Sequence, residues 1–384
     1  MGINSLLIIS PHDTLSKKAW SGTPYYLVNA LRARFPRVCV ISGLSSTFIL
    51  RGVKRGLAPF RIDPLRELTT SKIINAFLSG RIQAARPDLI FSLGASHMVA
   101  ALKSEKLIAH FSDATFAAML DYNKDFSGLA RRTIKQGHLQ EGAALRRADL
   151  VLLPSKWAAQ SAITDYGVSP EKVECVPLGA NFDDWPKWRG RQRRDATLRL
   201  LFVGVNWEQK GGDIAFQVLL NLKDRGLDAE LHVVGCRVPA GITDTSLHIH
   251  GYLSKSRLAE FQKLRSLYES ASFFLLPTRS EAYGLVFAEA SAYGLPSIAR
   301  RTGGTEAVVE DEVNGVLIPA SAPPDVYAEW IHRCWEDETR YEKLRASSRK
   351  RFEEHLNWDA WATRVSRRLD ELYETRHGGA VRGK

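Results

Sequence analysis

Two glutamates eight residues apart, Glu281 and Glu289, enclose a glycine in PTRSEAYGLVFAEASAYG. Carboxylates so placed can accept hydrogen bonds from the hydroxyls of a polyol. The strand-like run FFLLP precedes them and a helix-forming stretch follows, so Glu281 falls in a loop and Glu289 inside the next helix. The N–H groups of Gly284, Leu285 and Val286 would open that helix, unpaired within it and with the positive end of its dipole behind them. Such a start suits a phosphate or diphosphate, and glycine lets the backbone come close. A nucleotide sugar carries hydroxyls on both sides of its diphosphate: Glu281 would hold the transferred sugar and Glu289 the ribose. On spacing alone, both glutamates also read as solvent-facing helix carboxylates.

A second phosphate element follows LLFVG, where VNWEQKGGD supplies Lys210, Gly211 and Gly212. A cation beside a close-approach backbone is what a leaving pyrophosphate requires, and Asp213 is the expected N-cap of the helix beyond. The alternative is a surface lysine beside a turn.

These residues need elements to hold them. Short apolar runs alternate with longer amphipathic stretches, the pattern of parallel sheets covered by helices on both faces. Twelve strands are expected: 6–10, 38–42, 89–93, 107–111, 150–154 and 173–178 in the first half, then 198–204, 229–235, 247–251, 273–277, 296–300 and 315–319. Each set suffices for its own doubly wound sheet, in which ligands gather beyond the carboxyl ends of the strands. The polar, basic NFDDWPKWRGRQRRDAT reads as an interdomain linker with the boundary near 183–196. The expected domains are 1–185 and 196–355. A helix over 356–376, with Trp358, Trp361, Val365 and Leu369 on one stripe, is expected to cross back onto the first domain.

A chain of 384 residues, 45% hydrophobic, can bury two cores, and its formal charge of +11 suits an anionic partner. Four scattered cysteines point to neither a zinc site nor a disulfide framework. MGINSLLIIS lacks a basic leader region and reads as a first strand rather than a signal peptide. No apolar run reaches the roughly 20 residues needed to span a bilayer, which leaves a cytoplasmic protein, at most peripheral at the inner membrane face. The segment 49–78, with Arg51, Lys54, Arg55, Arg61 and Arg66 among Leu57, Phe60 and Leu65, reads either as a basic surface resting on anionic lipid or as a solvated connection.

The surrounding sequence resembles the retaining glycosyltransferases of the GT-B architecture, specifically the large family 4 group. The E-x7-E motif sits in SEAYGLVFAEA, and the likeness runs on through GLPSIARRTGGTEAVVEDEVNGVLIP with Gly303, Gly304 and Glu306. It recurs in ADLVLLPSKWAAQSAITDYGVSPEKVECVPLGANFD and in SGTPYYLVNAL, so it covers nearly the whole chain. The resemblance implies two Rossmann-like domains facing across a cleft, a C-terminal one for a nucleotide-diphosphate sugar and an N-terminal one for a glycan, lipid-linked or small-molecule acceptor. It makes Lys210 the phosphate-binding lysine and implies hexosyl transfer without metal or other cofactor, in cell-surface polysaccharide or glycoconjugate synthesis. It brings Gly22 towards the donor phosphate and acceptor, although Gly22, Thr23 and Pro24 also read as a plain helix start with Thr23 as N-cap. His110 and Asp113, at the end of a strand whose relatives often carry a histidine near the transferred sugar, are the other candidates. Asp113 is the better positional match, and His110 also reads as an inward-facing core residue. Tyr252, after His250 and Gly251, falls where relatives contact the nucleobase through backbone groups. The pattern departs at Val205, where relatives commonly carry an arginine for the diphosphate; Arg301 is a guess at a substitute. Rival readings are a nucleotide-sugar epimerase or phosphorylase, a donor-binding sensor, and a nucleic-acid-binding protein, for which there is no recognition motif.

Overall fold

The computed structural model describes residues 2–43, 52, 55–187 and 196–378. The chain forms two compact units, Met1–Pro177 with Trp358–Lys384, and Leu178–Asn357. Each is built on a six-stranded sheet whose neighbours all run parallel.

In the first unit β1 (Ser5–Ser10), β2 (Arg37–Ser42), β3 (Leu89–Leu93), β4 (Leu107–Phe111), β5 (Leu150–Leu153) and β6 (Val173–Cys175) lie in the order β2-β1-β3-β4-β5-β6. Strands β1, β3, β4 and β5 are buried along their whole length. Such strands are apolar without alternation because helices cover both faces. The chain order reverses beside β1, so the loops after β1 and β3 open at the point where doubly wound sheets place ligands. The helix Trp358–Gly378 belongs to this unit. Its Trp361, Val365 and Leu369 are at most 1% exposed, and the Trp361 indole meets Phe91 and Phe111 edge-on. Arg364 to Glu174 and Arg34 to Asp359 pin the same helix at 2.6 Å each.

In the second unit β7 (Leu198–Val203), β8 (Ala229–Val234), β9 (Leu247–Gly251), β10 (Phe273–Leu276), β11 (Ser297–Arg300) and β12 (Gly315–Ile318) take the order β12-β11-β10-β7-β8-β9. Here the order reverses between β7 and β10. Edge strand β9 is half-exposed, and β8 alternates buried and half-buried positions along most of its length.

The boundary differs from the one expected. Residues 178–185, assigned from sequence to the first domain, lie in the second unit. Phe182 packs there on Phe261, Tyr268 and Tyr293, the Ala180 N–H donates to the Leu356 carbonyl, and the Tyr283 hydroxyl donates to the Leu178 carbonyl. An aromatic anchor in LGANFDDW outweighs the local polarity that marked a linker; residues 188–195 of that linker lie outside the described residues. In the basic segment, Arg51 and Lys54 lie outside them too. Arg66 is drawn into the fold over the rings of Phe116 and Phe126, while Phe60, Ile73 and Phe77 are more than 60% exposed. Among the described residues no helix is long and apolar enough to cross a membrane.

Candidate active site

Lys210 and Glu281, 71 residues apart in sequence, form an ion pair of 2.5 Å. The topology brings them together: Lys210 ends the loop after β7, Glu281 lies in the loop after β10, and β7 and β10 are hydrogen-bonded neighbours at the order reversal. The two loops are laced to each other. The Arg279 N–H donates to the Gln209 carbonyl (2.8 Å), as does the Thr278 hydroxyl (3.2 Å), and the Gln209 amide donates to the Ser280 hydroxyl (3.0 Å). Both charged side chains keep between 15% and 18% of their surface, so a ligand can reach them while the pair remains partly desolvated.

Each loop ends in a glycine at a helix start. Gly211 (φ 74°) precedes the helix Gly212–Asp224, and a Cβ there would lie 2.1 Å from the Pro277 carbonyl oxygen. Gly284 (φ 94°) precedes the helix Leu285–Ala292, where a Cβ would lie 2.6 Å from the Phe287 ring. Left-handed backbone with no room for a side chain requires glycine at both positions. Leu285 and Val286, half-buried, follow in the first turn of the second helix, while the Gly212 N–H of the first already donates to the Trp207 carbonyl at 2.8 Å.

Several expectations are corrected. Asp213 is not the N-cap; Gly211 is, and Asp213 pairs with both terminal nitrogens of Arg279 at 2.8 and 2.6 Å, which holds its carboxyl below the usual range. Arg301 is engaged by Glu306 and Asp311. Arg279 adjoins the Lys210 loop: its neighbours Thr278 and Ser280 contact that loop, and its guanidinium also donates to the Glu208 carbonyl. Val205, in the position of the missing arginine, is 70% exposed. Glu289 is not solvent-facing: it is 1% exposed, ion-paired with Lys255, and accepts from the Tyr268 hydroxyl at 3.3 Å. A ribose could reach it only in exchange for Lys255, whose ammonium also lies over the Phe182 ring. Neither Lys255 nor Arg279 was singled out from sequence, because their partners are 34 and 66 residues away. Tyr252 is 67% exposed just beyond β9.

In the first unit the strand-order reversal also gathers predicted residues. Gly22 (φ 93°), not Thr23, caps the helix Thr23–Arg32, because Trp20 and Ser21 before it are already left-handed. The Trp20 indole reaches across Gly94 to donate to Asp113 at 3.0 Å. A Cβ on Gly94 would meet that indole at 2.9 Å. His110 faces the interior, 0% exposed, with its ring nitrogens on Ser92 (3.0 Å) and Ser96 (3.3 Å). Burial lowers its pKa to about 4, so the ring is neutral at pH 7.

Residues 23–184 match the family model for Glycosyltransferase Family 4, and residues 197–337 match that for Glycosyl transferases group 1. A D-inositol 3-phosphate glycosyltransferase of Corynebacterium aurimucosum is 26% identical over 244 residues, 59% of this chain and 56% of the relative's own length. Among solved structures, the sucrose-phosphate synthase of Thermosynechococcus elongatus superposes with a TM-score of 0.69 at 20% identity, covering 97% of this chain and 100% of that one. Anabaena Alr3699/HepE in complex with UDP gives 0.66 at 14%, covering 96% and 100%. Likeness at that identity speaks for the fold, here GT-B. Matched by one family model in each half and built on the two sheets of its structural neighbours, the chain belongs to the family 4-like GT-B glycosyltransferases.

Proposed function

We propose that the protein moves a hexosyl unit from a nucleotide-diphosphate sugar to a hydroxyl acceptor, with retention at the anomeric carbon and without a metal. The observation that carries this reading is the Lys210 and Glu281 pair, at the order reversal and between two glycine-started helices. An arriving diphosphate competes with Glu281 for the ammonium. Once Lys210 and the helix-start N–H groups face the phosphates, the released carboxylate accepts hydrogen bonds from the sugar hydroxyls. As the bond from the anomeric carbon to the phosphate oxygen breaks, the same donors stabilise the charge on the leaving diphosphate. The acceptor oxygen bonds to that carbon on the same face, and its proton passes to the departing phosphate oxygen. No protein nucleophile is needed. Asp113, held by Trp20, serves as an orienting carboxylate of the first unit.

HepE forms complexes with UDP and with UDP and glucose, so UDP-glucose stands first in the donor panel. The curated relatives' name adds D-inositol 3-phosphate to the acceptors worth testing beside glycans and lipid-linked sugars. Phe60, Ile73 and Phe77, exposed within the basic segment 49–78, support peripheral contact of a cytoplasmic enzyme with an anionic membrane.

The test is donor binding to UDP-, GDP- and ADP-sugars in EDTA, followed by transfer assays and NMR of the product's anomeric coupling. We expect one donor to bind, transfer to survive EDTA, and the anomeric configuration to be kept. Inversion, strict metal dependence, or conversion of the sugar with no acceptor present would each overturn the scheme, the last in favour of an epimerase.

A further inference from the structure

Three of the chain's ten histidines lie in β8 and β9, and a glutamate stands among them. In Glu230-Leu231-His232 and His248-Ile249-His250 the polar residues are two apart, so each pair projects from one face of its strand. The register His232 to His248 sets the two pairs side by side. Beyond it, Val233 pairs with Ile249 but Val234 pairs with Gly251, so His250 is the extra residue of a β-bulge. A bulge re-aims a side chain. Here the His250 and His232 rings stack at 5.3 Å, 5° from parallel, and the His248 ring stacks on His232 at 4.7 Å.

The nitrogen and oxygen atoms converge as well. His232 Nε2 is 3.2 Å from Glu230 Oε2, His248 Nε2 is 3.8 Å from Glu230 Oε1, and one ligand atom from each of the three residues falls within 4.8 Å of the others. Ligands about 2.0–2.2 Å from a tetrahedral zinc stand roughly 3.4 Å apart, so small side-chain rotations suffice to close the set. His232 Nδ1 lies 3.1 Å from His250 Nε2. With the Nδ1 proton donated to His250, His232 presents Nε2 as a lone pair, the outer-shell arrangement that orients metal-binding imidazoles.

We infer that Glu230, His232 and His248 form a site for a divalent transition-metal ion of the zinc type, with His250 orienting His232 from behind. Solvent completes the coordination, since the His248 side chain is 40% exposed and Glu230 29%. Arg199, on neighbouring β7, holds Glu230 Oε2 at 3.3 Å and leaves Oε1 on the His248 side. None of these side chains belongs to the Lys210 and Glu281 loops, and the site does not depend on the donor reading. A bound ion would tie edge strand β9, which leads to Tyr252, to β8.

The test uses untagged, chelator-stripped protein, with Co2+ followed by visible absorption and Zn2+ by calorimetry. The wild type is expected to bind one ion with tetrahedral cobalt bands and to gain melting temperature. Binding should fall at least 100-fold in His248→Asn and Glu230→Gln, and about 10- to 100-fold in His250→Asn, the outer-shell residue. Lys210→Ala should bind the metal as the wild type does. Melting of each metal-free variant checks that it folds, and the wild-type titration stands whether or not they do. Failure of the wild type to bind one equivalent saturably, or unchanged affinity in folded His248→Asn, overturns the site.

Discussion

Replacing Gly211 with alanine tests whether the β7 and β10 loops are as tightly laced as the geometry indicates. An added methyl there has two costs. Left-handed backbone at φ 74° disfavours any side chain by about 1–2 kcal/mol. The new carbon would also lie 2.1 Å from the Pro277 carbonyl oxygen, which is backbone and cannot rotate away. The loops must part, at an overpacking cost of about 1–3 kcal/mol. The sum, about 2–5 kcal/mol, corresponds to a fall of roughly 4–20 °C in a unit of this size. Gly226 supplies the control: its φ is 80°, but nothing lies within 4 Å of its added carbon, so Gly226→Ala carries the backbone cost alone. Urea and thermal melts of both variants isolate the steric part. Parting the loops also separates Lys210 from Glu281, so Gly211→Ala should lose donor binding while Gly226→Ala keeps it. Equal melting shifts in the two variants would refute the lacing, and so would a Gly211→Ala protein that binds donor normally.

Other outcomes follow from the same contacts. Lys210→Ala should weaken donor binding by about 1.5–3 kcal/mol, the usual worth of a hydrogen bond to a charged group, with little change in melting; calorimetry checks this, and undiminished affinity would remove Lys210 from the site. Lys255→Ala leaves the Glu289 carboxylate buried without its cation and should cost about 3–5 kcal/mol in urea melts, more than Glu289→Gln; a loss under 0.5 kcal/mol would show the pair to be solvated. His110 titrates near 4 when folded against about 6.5 unfolded, so between these values the unfolded chain binds more protons and stability falls as pH falls. From pH 7 to 5 this group alone should remove about 2 kcal/mol, a loss that His110→Asn should be spared. Parallel pH dependences in the two proteins would show His110 to be already charged.

Strands such as β1, β3, β4 and β5 could be read as runs of apolar residues, since a strand buried on both faces in a parallel sheet must be apolar along its length, and that is a local property of the chain. The glycines that start the two helices were legible for a similar reason: each ends the loop after a strand and opens a helix-forming stretch. The stripe of Trp358, Trp361, Val365 and Leu369 was legible as a helix face that must be covered. The domain boundary was not, because Phe182 reads as loop until Phe261, Tyr268 and Tyr293 close around it.

Candidate residues were visible one by one, but their states were not. Local spacing determined that Glu281 and Lys210 end strand-following loops; only the strand order, which sets β7 beside β10, decided that they pair. The same spacing left Glu289 and His110 ambiguous, and packing settled both inward, against Lys255 and against Ser92 and Ser96. The cluster of Glu230, His232 and His248 shows the division most plainly. Alternation within each strand is written in the sequence, but the register that stacks one strand's histidines on the other's arises from hydrogen bonds between segments that only the folded sheet brings together.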